Sequence, residues 1–342
     1  MTATFLELVD LASERLGGAV VAANDEFFAP KEGLINPAAP VWIEGKYTER
    51  GKWMDGWETR RRRDPGPSTG SGPSRAESRD GDHDWCIVRL GVPGIVRGLD
   101  VETTFFRGNY PEACAIDASD ASPVATIDEL SRAAWREIVP RTPLAGDSHN
   151  LIAATGEGRA THVRLRIYPD GGVARLRVHG DVAPDWDRLR RRGDVDLGAV
   201  EHGGLVAACS DMFFGSRHNL IMPGDATHMG DGWETKRRRG PGHDWTIVRL
   251  GTAGAIRRVE VDTRHFKGNA PGACSLEGAV LGQGQNLQEL DWRELLPRTA
   301  LLPHTRHVFE DDLRSIGDVT HVRFNIYPDG GVGRLRLFGR PR

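Results

Sequence analysis

The chain has little of what would mark several protein classes. Four cysteines in 342 residues, with no CxxC spacing among Cys86, Cys114, Cys209 and Cys274, supply neither a disulfide framework nor a thiolate zinc site. Nowhere do about 18 apolar residues follow one another, the length that a membrane-spanning helix needs. Residues 2–16 interleave Glu7, Asp10 and Glu14 with their apolar residues, so a cytoplasmic protein is expected. No sign of charge dominates: 45 Lys and Arg face 48 Asp and Glu. An interspersed net charge of -3 offers no field for nucleic acid or an anionic membrane, and the expected partner is a small molecule. Helical periodicity is scarce as well. It is confined to residues 2–16, stopped by Gly17-Gly18, and to short stretches ending at Val139 and Leu296, each stopped by proline.

What the chain has instead is an internal duplication. Asp55-Gly-Trp-Glu-Thr-Arg-Arg-Arg-Arg63 returns as Asp231-Gly-Trp-Glu-Thr-Lys-Arg-Arg-Arg239, and His83-Asp-Trp-Cys-Ile-Val-Arg-Leu-Gly91 as His243-Asp-Trp-Thr-Ile-Val-Arg-Leu-Gly251. Further blocks follow in the same order: Phe106-Arg-Gly-Asn-Tyr-Pro111 with Phe266-Lys-Gly-Asn-Ala-Pro271, then Ile167-Tyr-Pro-Asp-Gly-Gly-Val173 with Ile326-Tyr-Pro-Asp-Gly-Gly-Val332. Ordered matches of this kind define repeats. They predict an N-terminal helix over 1–16, a first repeat over 17–180, a linker over 181–202 and a second repeat over 203–342. The first repeat is longer between Ile35 and Asp55, and it alone carries a Gly/Ser/Pro-rich run that predicts a mobile loop over 64–82. Cys114 and Cys274 hold the same place in the two repeats, which fits one buried thiol per module.

Inside a repeat the period is that of strands. Val163, Leu165 and Ile167 alternate with His162, Arg164 and Arg166, and Leu176 and Val178 with Arg175, Arg177 and His179, giving one inward and one outward face. Tyr-Pro-Asp-Gly-Gly between them is a hairpin turn, proline presetting φ and glycine accepting a positive φ. Trp85 to Leu90 and Val96 to Val101 read as further strands. Many short strands per module predict an all-β fold, two tandem jelly-roll β-sandwich modules.

The quoted blocks, with Asp25-Glu-Phe-Phe-Ala29, Gly51-Lys-Trp-Met-Asp-Gly-Trp-Glu-Thr-Arg60 and Val261-Asp-Thr-Arg-His-Phe-Lys-Gly-Asn-Ala-Pro271, resemble the repeated signature blocks of the allantoicase family. The resemblance covers both halves. It implies jelly rolls of the galactose-binding-like kind and a hydrolase of linear amidine C–N bonds, converting allantoate to ureidoglycolate and urea in the breakdown of purines through allantoin. Departures are Glu102, where the second repeat has Asp262, and the Gly/Ser/Pro insertion. Without the resemblance, a duplicated sandwich with Trp-rich loops reads as a non-catalytic carbohydrate- or small-ligand-binding protein, and fold alone does not settle function.

Allantoate bears a carboxylate and two ureido groups on one carbon. A site for it needs a fixed cation, amide-reading groups and proton transfer to the departing urea. Polar residues present in both repeats, such as Glu58 and Glu234 or His162 and His321, can be accounted for by folding alone. Asn109 and Asn269 sit in Gly-Asn-x-Pro, a turn signature as much as a ligand signature. Residues that differ between repeats are sharper candidates, and His265 stands where the first repeat has Phe105. The expected active site therefore lies on end loops of the second repeat. His265, Glu234 and Asp262 are the catalytic candidates, and Arg237, Lys267, Asn269, Arg323 and Tyr327 the substrate-binding ones. His304 and His307 have a spacing some metals use, yet Pro303 and the lack of carboxylate neighbours favour ordinary loop histidines. No cofactor is expected; a divalent ion is compatible with the chemistry but not indicated. The Arg60 to Arg63 and Lys236 to Arg239 runs lack the aromatic platform of a nucleic-acid site, and an arginine from each serves better as a carboxylate clamp. A homo-oligomer is expected.

Overall fold

Strands form where the sequence alternates, because a period of two lets branched side chains fill one pleated face. The computed structural model describes residues 4–62, 83–282 and 284–342; the loop expected over 64–82 lies outside them. Two compact units divide the chain, Met1–Ala183 and Pro184–Arg342. The first contains β1 Val9–Asp10, β2 Ala19–Ala23, β3 Tyr47–Thr48, β4 Gly51–Lys52, β5 Trp57–Glu58, β6 Asp84–Glu102, β7 Ala113–Ser119, helix α1 Ile127–Ser131, β8 Arg136–Pro143, β9 His149–Ala153, β10 Arg159–Tyr168, β11 Gly172–Val173 and β12 Arg175–Val182. The second contains helix α2 Trp186–Arg191, β13 Val195–Asp196, β14 Leu205–Cys209, β15 Trp233–Glu234, β16 Asp244–Asp262, β17 Ala273–Ala279, β18 Arg293–Ala300, β19 Arg306–Phe309, β20 Val319–Tyr327, β21 Gly331–Val332 and β22 Arg334–Pro341.

The two modules share one topology. Strand order is β1-β12-β6-β10-β7-β8 in the first and β13-β22-β16-β20-β17-β18 in the second, all antiparallel. Trp85 to Leu90 and Val96 to Val101, read as separate strands, are one strand of 19 residues. Its first half pairs with β2 and β10 and its second with β12 and β9, so β6 belongs to both layers of the jelly roll. Val88, Leu99, Val101, Ile116, Val163, Leu165, Ile167, Leu176 and Val178 are fully buried around Trp57 between the layers. Each such side chain contributes roughly 1.5–3 kcal/mol by leaving water. Cys114 and Cys274 are both buried free thiols.

Several local expectations are corrected. Residues 4–16 are not one helix: Thr4–Glu7 is a single 3-10 turn, after which Val9 and Asp10 pair with Gly180 and His179 of β12. The Asp10 carboxylate accepts from the backbone N–H groups of Val178 and Ala12, and Leu11 is buried, anchoring the segment as an edge strand. Part of the presumed linker does the same in the second module, since Val195 and Asp196 pair with Gly339 and Phe338 of β22. The stretches ending at Val139 and Leu296 belong to strands β8 and β18, which run through Pro140 and Pro297. Both are terminal strands of their sheets, where a missing N–H breaks no ladder. His162, read as outward-facing, is buried at a register shift after Ala160, its Nδ1 2.9 Å from the Thr161 hydroxyl.

Candidate functional site

At one end of the first module, short strand β5 carries Glu58. Its backbone is held on both sides, exchanging hydrogen bonds with Ala29 and pairing with Gly172 of β11. The preceding Trp57 is fully buried and donates its indole N–H to the Asp25 carbonyl at 2.8 Å. Glu58 is therefore fixed, and its side chain meets Asn109, whose amide donates to Oε1 at 2.7 Å. Asn109 is held in turn by the hairpin turn, as the Gly172 N–H donates to its carbonyl at 2.7 Å.

A hollow of about 520 Å³ opens here, lined by Phe28, Trp42, Lys52, Met54, Glu58, Phe105, Arg107, Gly108 and Asn109. Burial raises the Glu58 carboxyl to about 7; the Asn109 hydrogen bond opposes that shift and the Asp170 charge adds to it. A carboxyl poised near neutrality can both give and take a proton. Cations stand at the mouth. Lys52 lies over the Trp42 ring at 4.1 Å, and Arg107 is exposed while donating from Nε to Asp147 at 3.0 Å.

Trp42, Lys52 and Met54 come from the segment between Ile35 and Asp55, the longer one in the first repeat. Sequence reasoning noted that length and drew no site from it. The signal was present: a Trp and a Lys in an insertion that only one repeat has.

The second module repeats part of this arrangement. Asn269 donates to Glu234 Oε1 at 2.6 Å, and the Gly331 N–H donates to the Asn269 carbonyl at 2.8 Å. His265 stands close in sequence, with φ of 73° against 71° for Phe105. Its Nε2 is 2.9 Å from the Ala226 carbonyl, and its backbone N–H donates to His304 Nδ1 at 2.9 Å. Asp262 is buried and grips Arg264, whose Nη2 lies 2.6 Å from Oδ2; with Asp225 it pushes the guanidinium above its ordinary range. Lys267 is exposed.

The remaining candidates lie elsewhere. Arg237 is exposed in a separate hollow with Ser210, Asp211, Lys236 and Asp244. Arg323 and Tyr327 line another on the sheet face, with His243 and Asn325. The structure thus joins Glu234 with Asn269 and does not bring Arg237, Arg323 or Tyr327 to them. In the basic runs alternate residues pair with acids: Arg60, itself exposed, with Asp25 at 2.7 Å and Arg62 with Asp84 at 2.8 Å, answered by exposed Lys236 with Asp211 and by Arg238 with Asp244. His307, expected in a loop, lies in β19 opposite Val261 and accepts from the Leu302 N–H at 2.9 Å, while His304 is a loop residue. Among the described residues no three His, Cys, Asp or Glu side chains are gathered to hold a metal ion.

Comparison with known proteins follows the duplication. The family model described as "Allantoicase repeat" matches twice, over residues 9–183 and 195–342. A probable allantoicase of Pseudomonas aeruginosa (strain UCBPP-PA14) is 48% identical over 344 aligned residues, covering 99% of this chain and 98% of that protein. A probable allantoicase of Photobacterium profundum is 47% identical, covering 98% and 97%. The crystal structure of allantoicase from Saccharomyces cerevisiae superimposes with a TM-score of 0.78 at 35% identity, covering 97% of this chain and 93% of that one. The family model begins its second match at residue 195, on the strand that pairs as β1 does.

Proposed function

The chain belongs to the allantoicase family, and from that premise we infer that it hydrolyses allantoate to ureidoglycolate and urea, with the chemistry in the first-module hollow around Glu58. The reaction breaks one C–N bond at the central carbon, its electron pair leaving with the urea nitrogen, while a bond forms from that carbon to a water oxygen. One proton must reach the departing nitrogen and one must leave the water. Glu58 supports both transfers, because burial holds its carboxyl at about 7 and Asn109 fixes one oxygen. Arg107 and Lys52 at the mouth match the carboxylate, the arginine with the geometry for two parallel hydrogen bonds.

The poised carboxyl of Glu58 is the observation that carries this reading. Glu58→Gln is expected to lower kcat by about 10²-fold or more, the scale of one general acid–base group. Protonating departing urea is the harder transfer, so wild-type kcat falls as pH rises through about 7. Urea release at wild-type rate from Glu58→Gln, with that limb intact, would move the chemistry elsewhere.

The Glu234–Asn269 bond favours a second reading, the end loops of the second module with His265, Asp262 and Lys267. His265→Ala separates the two: a drop of about 10²-fold assigns the reaction to that module, and wild-type turnover to the first. A cytoplasmic homo-oligomer belongs to the same proposal. Four free thiols suit a reducing compartment, and exposed Met212, Phe213 and Phe214 offer apolar surface for a second copy; a monomeric mass by light scattering would remove the oligomer.

A further inference from the structure

The duplication places one residue difference where it changes the chemistry of a surface. On the outer face of the first module, Arg166 of β10 lies opposite Ala115 of β7 and Trp85 of β6. At the same register of the second module Asn325 of β20 lies opposite Ser275 and Trp245. Around it Ser275 and Glu277 stand where the first module has Ala115 and Asp117, the Ser275 hydroxyl lying 3.0 Å from that of Tyr327, and the aromatic and basic neighbours are matched. Arg141 and Arg298 each sit 4.2 Å over Tyr168 and Tyr327, and Arg164 and Arg323 each sit 4.8 Å over Trp135 and Trp292.

In the first module the Arg166 guanidinium joins three acceptors. Nη2 donates to Asp117 and to Glu137, both at 2.9 Å, and Nη1 to the Tyr168 hydroxyl at 3.1 Å. The corresponding acids and phenol persist in the second module as Glu277, Glu294 and Tyr327. Asn325 is too short to span them; its amide donates only to Ser275 Oγ at 3.1 Å and Glu277 Oε2 at 3.0 Å. A hollow of about 390 Å³ opens there instead.

The charges decide what fits. Glu277 is paired with Arg323 at 2.6 Å and Glu294 with Arg314 at 2.7 Å, so another guanidinium would add a cation without a counter-charge. A neutral ureido group presents the same planar edge of N–H donors. Arg298, exposed in the lining, supplies a cation for a carboxylate. We propose that this hollow binds a small ureido acid, its amide edge on Glu277, Glu294 and Tyr327 and its carboxylate toward Arg298. The proposal stands on the Arg166–Asn325 difference, not on which module carries catalysis.

Calorimetric titration with N-carbamoylglycine tests it, since its carbon carries one ureido group and lacks the second nitrogen whose lone pair helps to expel urea. Wild type is expected to bind it, and Asn325→Arg, which restores the first module's residue, to lose one binding site per chain. Glu58→Gln keeps that site. N-acetylglycine, lacking the terminal NH2, and guanidinoacetate, a zwitterion whose guanidinium brings a cation to the amide edge, should bind at least about tenfold more weakly, the cost of a partner left unmatched or a cation left without a counter-charge. Unchanged binding by Asn325→Arg, or guanidinoacetate as the tighter ligand, overturns the proposal. Should Asn325→Arg fail to fold, Tyr327→Phe carries the test. It keeps the ring under Arg298 and is expected to weaken binding roughly three- to tenfold, and no weakening overturns the proposal. If Asn325→Arg loses binding and urea release together, this site is upheld and the first-module assignment falls.

Discussion

Glu58 and Glu234 are the same residue in the same nine-residue block, yet their settings differ. Glu58 lies under a wall of Trp42 and Met54, whereas Glu234 is half-buried. The raised carboxyl has a sign that can be tested. Burial lifts it and the Asn109 amide pulls it down, so Asn109→Leu, which keeps the volume and deletes the donor, is expected to move the kcat midpoint above 7. A midpoint that stays or falls would show that the amide does not bear on the carboxyl. Within the shared block nothing separates the two glutamates, because the burial comes from the insertion just ahead of the first block and not from the block itself. That is why folding alone can account for both, and why the His265 asymmetry directs the expectation to Glu234 and not to Glu58.

At the scale of elements, the pocket wall depends on a buried arginine. Arg175, fully buried at the start of β12, donates to the carbonyls of Gly33, Ala38 and Asp55 and pairs with the Asp55 carboxylate at 2.8 Å. It pins both ends of the segment that carries Trp42 and Lys52. Arg175→Met leaves these acceptors unmatched and is expected to cost about 3–5 kcal/mol, read as a lower urea midpoint at unchanged m. The Pro-Asp-Gly-Gly turn is the other positioning element. Gly330 has a φ of 137°, and a Cβ there would lie 2.5 Å from the Asn269 carbonyl oxygen. Gly330→Ala should destabilise by about 1–3 kcal/mol, while Gly156→Ala, at φ of 100° with open space around it, should show the backbone cost alone. Equal losses would mean that the close approach does not matter. This turn and the strands beside it were legible from period and turn chemistry. The proline-containing edge strands β8 and β18 were not, because proline stops a helix and an edge strand alike. Nor was the start of each module, although Val9-Asp10-Leu11 and Val195-Asp196-Leu197, each six residues before Gly-Gly, repeat at identical spacing.

For the molecule as a whole, the clearest acid-sensitive groups are the buried histidines. Burial lowers His321 to about 4 and lowers His162 in the same direction, with Arg249 and Arg89 adding to it. The unfolded chain takes these protons below about 6.5 and the native protein does not, so stability is complete above that pH and is lost as pH falls toward 4. For His321 the loss is up to about 3 kcal/mol. Glu58 acts oppositely, its stabilisation present below about 4.5 and lost as pH rises through 7. Thermal melts from pH 7 to 4.5 should therefore show a fall in Tm that His321→Gln reduces; an equal fall in the variant would exclude the histidine. The long strand shared by both layers has a different consequence. Amide protons on β2 and on β12 are tied to opposite halves of β6, so neither layer can open to deuterium without unzipping a strand of the other. Each module should then exchange its slowest amides as one cooperative unit, with a common opening energy for the two faces of its sandwich.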